Sequence, residues 1–221
     1  GKLAIKPAGE GAQQDPDIPV FSRDGVSVTV DGNRLYAASI TDALAGLLAA
    51  GEPGPHALPK AMRGRNMEGA VQIPITRDML SGEWEEVVPP QLGASKWDNH
   101  FDSLWVTKTP GSKLTFTFTG TRAWIFDVFG PGTGRVKVTI DGVDRGMRQQ
   151  VDPWSYYYRI GSLEIGSNLP AGEHTVTVEL LPDVPDRSVP IEAAKKANQY
   201  RPADFEGVAL HFGAISVLQT P

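Results

Sequence analysis

Cysteine is absent from the 221 residues, which excludes disulfides, thiolate metal sites and a cysteine nucleophile. Histidine is scarce: His56, His100, His174 and His211 stand far apart and offer no histidine-rich zinc site. Positive charge is in deficit. With 21 Lys and Arg against 26 Asp and Glu, the formal charge of −5 supplies no basic surface for a phosphate backbone, so nucleic acid is not an expected partner. No apolar run approaches the roughly 18 residues of a membrane span. Residues 1–11 lack the apolar middle of a signal peptide, so an exported chain would already have lost its signal. What is plentiful is the residues that interrupt regular structure, 24 Gly and 18 Pro, and these argue against a helical bundle. Forty per cent hydrophobic residues with 21% charged can build a core, so a globular chain is expected, as one large β domain or two smaller units.

One segment reads clearly as a helix. From Asp31 to Ala50, Tyr36, Ile40, Ala43, Leu44, Leu47 and Leu48 recur at spacings of three and four. Thr29 or Asp31 can cap its start, and Gly51, Pro53 and Pro55 stop it. Residues 51–69, dense in Gly and Pro, read as a linker. Beyond residue 70 the apolar period falls to two. Leu114, Phe116 and Phe118 form one run; Trp124, Phe126 and Val128 the next; then Val136, Val138 and Ile140; and later Val176, Val178 and Leu180. Turn signals at 110–111, 130–132, 141–142 and 170–172 separate them. Residues 71–75, 84–88, 104–107 and 208–218 add strands, with Gly213 marking a bulge in the last. The predicted fold is mainly β: an antiparallel, jelly-roll-like β-sandwich over 70–221, preceded by a short α/β remnant with one amphipathic helix over 1–50.

The most informative stretch precedes the helix, running Ser22-Arg23-Asp24-Gly25-Val26-Ser27-Val28-Thr29-Val30-Asp31-Gly32-Asn33-Arg34-Leu35-Tyr36. It resembles the last block of the SGNH (GDSL-type) ester hydrolases, in which an Asp orients a His three residues on and the final helix follows. The resemblance makes Asp24 the orienting carboxylate and puts Ser27 where the family's histidine stands. A hydroxyl without an imidazole cannot act as general base near neutral pH. The family's Gly-Asp-Ser and Gly-x-Asn blocks have no counterpart either. At the other end, 154–159, 169–176, 182–187 and 205–215 look like the β-sandwich that follows the catalytic domain in bacterial, polysaccharide-associated members. The resemblance thus implies the carboxy-terminal portion of an ester hydrolase acting on decorated polysaccharide, inactive by itself, secreted or periplasmic. Its partners would be polysaccharide or its acylated fragments, with a missing amino-terminal catalytic portion or a partner chain. No cofactor is called for. The rival reading is a non-catalytic carbohydrate-binding or scaffolding module, and a third is an enzyme with an unrelated site.

Among other candidates, Trp154, Tyr156, Tyr157 and Tyr158 with Arg159 form the best aromatic cluster for stacking on a sugar ring. Read as a strand, the three tyrosines would point to alternate faces and leave one outside the core. Trp84, Trp97 and Trp105 read as packing. Residues 97–102, Trp-Asp-Asn-His-Phe-Asp, lack the acidic spacing of a calcium loop and read as a polar turn, so no metal is predicted. The glycine-rich 130–134 reads as a hairpin loop, 191–198 as a short helix or ordered loop, and His174 and His211 as surface or hydrogen-bonded residues.

Overall fold

The computed structural model describes residues 21–22, 26–52, 54–55, 67, 69–88 and 100–219. The chain divides into two compact units, Gly1–Lys60 and Ala61–Pro221. In the first, Thr29 opens helix α1 (Val30–Ala50): its hydroxyl accepts from the Gly32 amide at 3.1 Å, and the Asp31 carboxylate pairs with Arg34 at 2.9 Å. Of the two expected caps, Thr29 is the one used. Ahead of it Ser22 and Val28 form an isolated antiparallel bridge, and the Phe21 ring meets Tyr36 edge-on at 5.0 Å. Ile40, Leu44, Leu47 and Leu48 of the apolar stripe are exposed.

Among the described residues, the second unit pairs eleven strands, all antiparallel, into two sheets. One comprises β1 (Ala70–Pro74), β3 (Glu85–Val87), β4 (Leu104–Thr107), β6 (Arg122–Phe129), β9 (Arg159–Gly166) and β11 (Leu210–Leu218), in the order β3-β4-β11-β6-β9 with β1 also on β11. The other runs β2 (Leu80–Ser81), β5 (Lys113–Gly120), β10 (Gly172–Leu180), β7 (Val136–Ile140) and β8 (Val143–Arg148). Helix α2 (Ser188–Lys196) and a 3-10 turn (Pro202–Phe205) lie between β10 and β11.

The alternation expected in β5, β7 and β10 is the buried alternation observed: Leu114, Phe116, Phe118, Val136, Val138, Ile140, Val176, Val178 and Leu180 all enter the core between the sheets. In β6 the expected phase is reversed. Ala123 and Ile125 face that core, whereas Phe126 and Val128 join Val87, Phe101, Leu104 and Val106 in a second cluster on the sheet's other side. Both faces of β6 are covered, so side-chain size did not mark the inner one. In β11, Leu210 and Phe212 point inward, then Ile215 and Val217 do, because the expected bulge at Gly213 adds one residue and shifts the phase. Phe101 packs on that bulge so closely that a Cβ at 213 would lie 2.1 Å from its ring.

His174 and His211, expected at the surface or hydrogen-bonded, are both buried. His174 bonds Asp141 through Nδ1 at 2.7 Å and the Pro170 carbonyl through Nε2 at 2.8 Å, tying β10 to the Asp141-Gly142 turn of the β7–β8 hairpin. The Asp141 bond, then the Pro170 bond, raise the imidazole above its ordinary pKa. Burial, with the Lys108 charge adding, drives His211 down to about 4, so its ring is neutral.

Two outcomes follow from this packing. Gly213→Ala should lower stability by roughly 1–3 kcal/mol, the usual cost of overpacking, read as a fall in the urea midpoint; an unchanged midpoint would mean that Phe101 yields freely. The raised His174 pKa makes the contribution of its pair full below about pH 6.5, the unfolded value, and lost as pH rises through the folded value. Urea titrations of His174→Gln should therefore differ from the parent more at pH 5.5 than at pH 9, and an equal difference at both would show that the charge on the ring is irrelevant.

Candidate functional site

Three segments meet at the end of the sandwich where β6 finishes: 130–134 after β6, 149–158 before β9, and 197–205 after α2. They enclose a cleft of about 460 Å³ lined by Tyr156, Tyr157 and Tyr158 on one side and by 198–201 and Asp204 on the other. The tyrosines are not in a strand, as read from sequence, but in a turn that ends where β9 begins. That turn leaves Trp154 57% exposed, Tyr157 40% and Tyr158 38%, a surface more apolar than solvent contact alone favours.

Asp152 organises the turn. Its Oδ1 accepts from the Trp154 amide at 2.8 Å and the Ser155 hydroxyl at 3.2 Å, and its Oδ2 accepts from the Arg159 guanidinium. Burial would raise this carboxyl, but the bonds from Arg159 and Trp154 outweigh it and hold the pKa below the usual range. Arg159, its guanidinium 4.4 Å from the centroid of the Phe129 ring, is thereby fixed between Phe129 and Asp152. It positions the aromatic turn rather than projecting from it. The rings themselves form a series: Trp154 and Tyr156 lie 6.4 Å apart at 35°, Tyr156 and Tyr157 5.0 Å apart edge-on.

Tyr158 packs closely on the glycine-rich loop, where a Cβ on Gly130 would sit 2.7 Å from its ring, and meets His211 edge-on at 5.3 Å. Burial first, and then the Asp204 charge, raise its phenol. The opposite wall is held by Arg187, 5% exposed, which donates to the Phe205 carbonyl and, at 3.1 Å, to that of Thr133. Burial lowers its pKa. Tyr200 stacks on Phe205 at 5.6 Å and carries the Lys195 ammonium 5.5 Å from its centroid. Beneath the aromatic turn, Asp127 is 2% exposed on the core side of β6 and accepts a 3.3 Å bond from Gln150 Nε2; burial pushes its carboxyl up to about 7.

Of the residues singled out from sequence, Trp154, Tyr156, Tyr157, Tyr158 and Arg159 are brought together. Asp24 and Trp97 lie outside the described residues, and Ser27 is exposed ahead of α1. Trp84 and Trp105 are half-buried, Trp105 donating to the Ile75 carbonyl at 2.9 Å. His174 has both ring nitrogens committed, so it offers no free base. Among the described residues no group of three or more His, Asp or Glu could hold a metal ion. Arg187, Tyr200, Arg201 and Asp204 were missed, being some 30 to 50 residues from the tyrosines in sequence; the Pro-Ala-Asp-Phe run after Arg201 is the only local signal of a turn there. A second recess of about 520 Å³, beside Arg122, Ser167 and Asn168 at the other end of β6, has no aromatic wall.

No protein-family model matches the chain, and no curated protein does. Solved structures do. A two-domain esterase described as active on acetylated mannans, co-crystallised with mannopentaose, aligns over 91% of this chain and 50% of its own with a TM-score of 0.62 at 12% identity. A second structure of such an esterase aligns over the same shares with a TM-score of 0.63 at 11% identity. A CBM36-1 domain of a multidomain xylanase from the hindgut metagenome of Trinervitermes trinervoides aligns over 69% of this chain with a TM-score of 0.42 at 10% identity. The chain thus shares the fold of about half of a two-domain esterase.

The raised pKa of Asp127 sets a pH dependence of opposite origin to that of a salt-bridged acid. Its penalty on folding is absent below about pH 4, grows as the unfolded chain ionises, and is complete above about 7. Asp127→Asn should be more stable than the parent at pH 8, by up to about 4 kcal/mol, and no more stable at pH 4. Thermal melts at the two pH values check this, and a variant no more stable at pH 8 than at pH 4 would refute it.

Proposed function

We propose that this chain is the carboxy-terminal part of an SGNH-type carbohydrate ester hydrolase, in which the β-sandwich holds acylated polysaccharide by the aromatic cleft. The observation that carries the reading is the cleft itself: Tyr157 and Tyr158 line it and exposed Trp154 stands beside it against Tyr156, so that apolar ring faces lie next to polar side chains, the combination a sugar ring requires. The Asp24-to-Tyr36 block and the shared fold with an esterase described as active on acetylated mannans support the ester-hydrolase part. In this reading 1–50 is the end of the catalytic domain, 51–69 the linker and 70–221 the sandwich. Asp24 orients, and Ser27, in the histidine's place, leaves this chain without a general base. The protein works where polysaccharide is, outside the cytoplasm; among the described residues no helix is long and apolar enough to cross a membrane.

Ser27 also favours a second reading, a purely non-catalytic carbohydrate-binding module. Neither reading allows turnover of acetylated mannan or a small aryl acetate by the chain alone, and turnover by the unmodified chain would overturn both. The two are separated by the parent gene, in which the first reading requires a Gly-Asp-Ser block upstream and the second does not.

Binding itself is tested by isothermal titration against plant, algal and host glycans. At least one should bind, and Trp154→Ala or Tyr157→Ala should each weaken it about two- to tenfold, the usual worth of an aromatic stacking contact. Uniformly flat traces for the parent chain would refute the glycan site.

A further inference from the structure

The cleft carries a charge pattern that bears on which sugars enter it. We infer, resting on the glycan-binding reading above, that the cleft accepts uncharged sugar units and turns away uronate-bearing ones, and that Asp204 is the selecting residue.

Of the side chains lining the cleft, only Arg201 and Asp204 carry charge; the others are tyrosines, Pro131, Asn198 and Gln199. Arg201 and Asp204 issue from one turn, the Asp204 amide donating to the Arg201 carbonyl at 3.1 Å. Both are exposed, and among the described residues neither makes an ion pair. The neighbouring cations are engaged elsewhere: Lys195, over the Tyr200 ring, is paired with Glu192 at 2.7 Å. Arg187 is buried and directs its guanidinium at the Phe205 and Thr133 carbonyls. His211, behind Tyr158, is uncharged. Arg159 is paired with Asp152.

A uronate entering this cleft would meet one free cation and one free anion. The two Coulomb terms oppose each other, and the sugar carboxylate would lose hydration with no net charge to replace it. The field of the whole chain, formally −5, works in the same direction at low salt. An uncharged sugar is suited on every count. Its vicinal hydroxyls can donate to the two oxygens of Asp204 and accept from Arg201, Asn198 or Gln199, while its C–H face rests on a tyrosine ring. At Tyr158 the Asp204 charge raises the phenol and the Arg187 charge behind it acts in the opposite sense. Replacing Asp204 by Asn keeps the shape and leaves Arg201 unopposed, so an acidic glycan should gain affinity.

Native affinity electrophoresis reads this directly, with gels containing an unsubstituted mannan, xylan or β-glucan, or a polygalacturonate at the same concentration. The parent chain should be retarded by at least one uncharged glycan and not by the polyuronate. Asp204→Asn should raise affinity for the polyuronate about fivefold, and Asp204→Asn combined with Arg201→Ala should abolish that gain. Circular dichroism melts establish that each variant is folded; both positions are exposed, and a variant that failed to fold would be replaced by Asp204→Ser. Equal retardation of the parent by neutral and acidic glycans, or a ratio unmoved by removing the Asp204 charge, would overturn the selectivity while leaving the glycan site standing. No retardation in any gel would remove the glycan site and the selectivity with it.

Discussion

Strand β11 has to satisfy more conditions than any other segment. It hydrogen-bonds β6 along one edge and shares the other between β4 and β1, and it buries side chains on both faces of its sheet. A strand with strict alternation could serve one register along its length. The extra residue at Gly213 divides β11 into two halves of opposite phase, so that Leu210 and Phe212 before it, and Ile215 and Val217 after it, all reach the same core. The bulge needs glycine because Phe101 closes over it, and Phe101 in turn belongs to the cluster that covers the outer side of β4 and β6. The inner core, the outer cluster and the pairing of four strands therefore meet at one position.

From that frame the cleft follows. Strands β6 and β9 end together, Phe129 opposite Arg159, and the loops that leave them are anchored by polar groups set into the apolar end of the sandwich. Asp127 with Gln150, Asp152 with Arg159, and Arg187 with two carbonyls each draw a loop down onto the strands. Buried polar anchors stabilise a fold poorly compared with apolar packing of the same volume. What they do here is direction: each hydrogen bond specifies where a loop lies, and the aromatic rings above them inherit that placement. Gly130 acts in the same sense, since the absence of a Cβ there lets the backbone and ring of Tyr158 approach the loop.

The legibility of the sequence follows the same physics. Strands with one covered face, β5, β7 and β10, reveal themselves by alternation because water on the other face forces polar residues there. β6 misled because both of its faces are covered: Phe126 and Val128 are large and apolar yet face away from the main core. β8 was not foreseen because, as an exposed edge strand, Val143-Asp144-Arg145-Gly146-Met147-Arg148 has no buried face to pattern it. The aromatic cluster was visible as composition, but its conformation was not. Three tyrosines in a row suit a strand locally, and it is Asp152, through Trp154, Ser155 and Arg159, that makes a turn of them. Arg187 and Asp204 join the site only through folding, since nothing near Tyr158 in sequence announces them.

The buried titratable groups also act on one another through the common proton. His211 held neutral is penalised by acid: between its ordinary value near 6.5 and its folded value of about 4, the unfolded chain takes up the proton that the folded chain refuses, and stability falls as pH falls. Asp127 behaves oppositely over nearly the same interval, stability falling as pH rises from about 4 to about 7. The two slopes are of equal size and opposite sign, so through mildly acid pH they cancel. Above that interval the His211 dependence has ended, and His174, whose bonds to Asp141 and Pro170 favour the charged ring, carries a dependence of its own. Below it Asp127 and His211 are both protonated, and acids held low by their partners, Asp141 by His174 and Asp152 by Arg159 among them, lose that stabilisation as they take up protons. The contributions of the neutral histidine beside the aromatic floor and the protonated aspartate beneath the aromatic turn thus offset each other over a band of mildly acid pH.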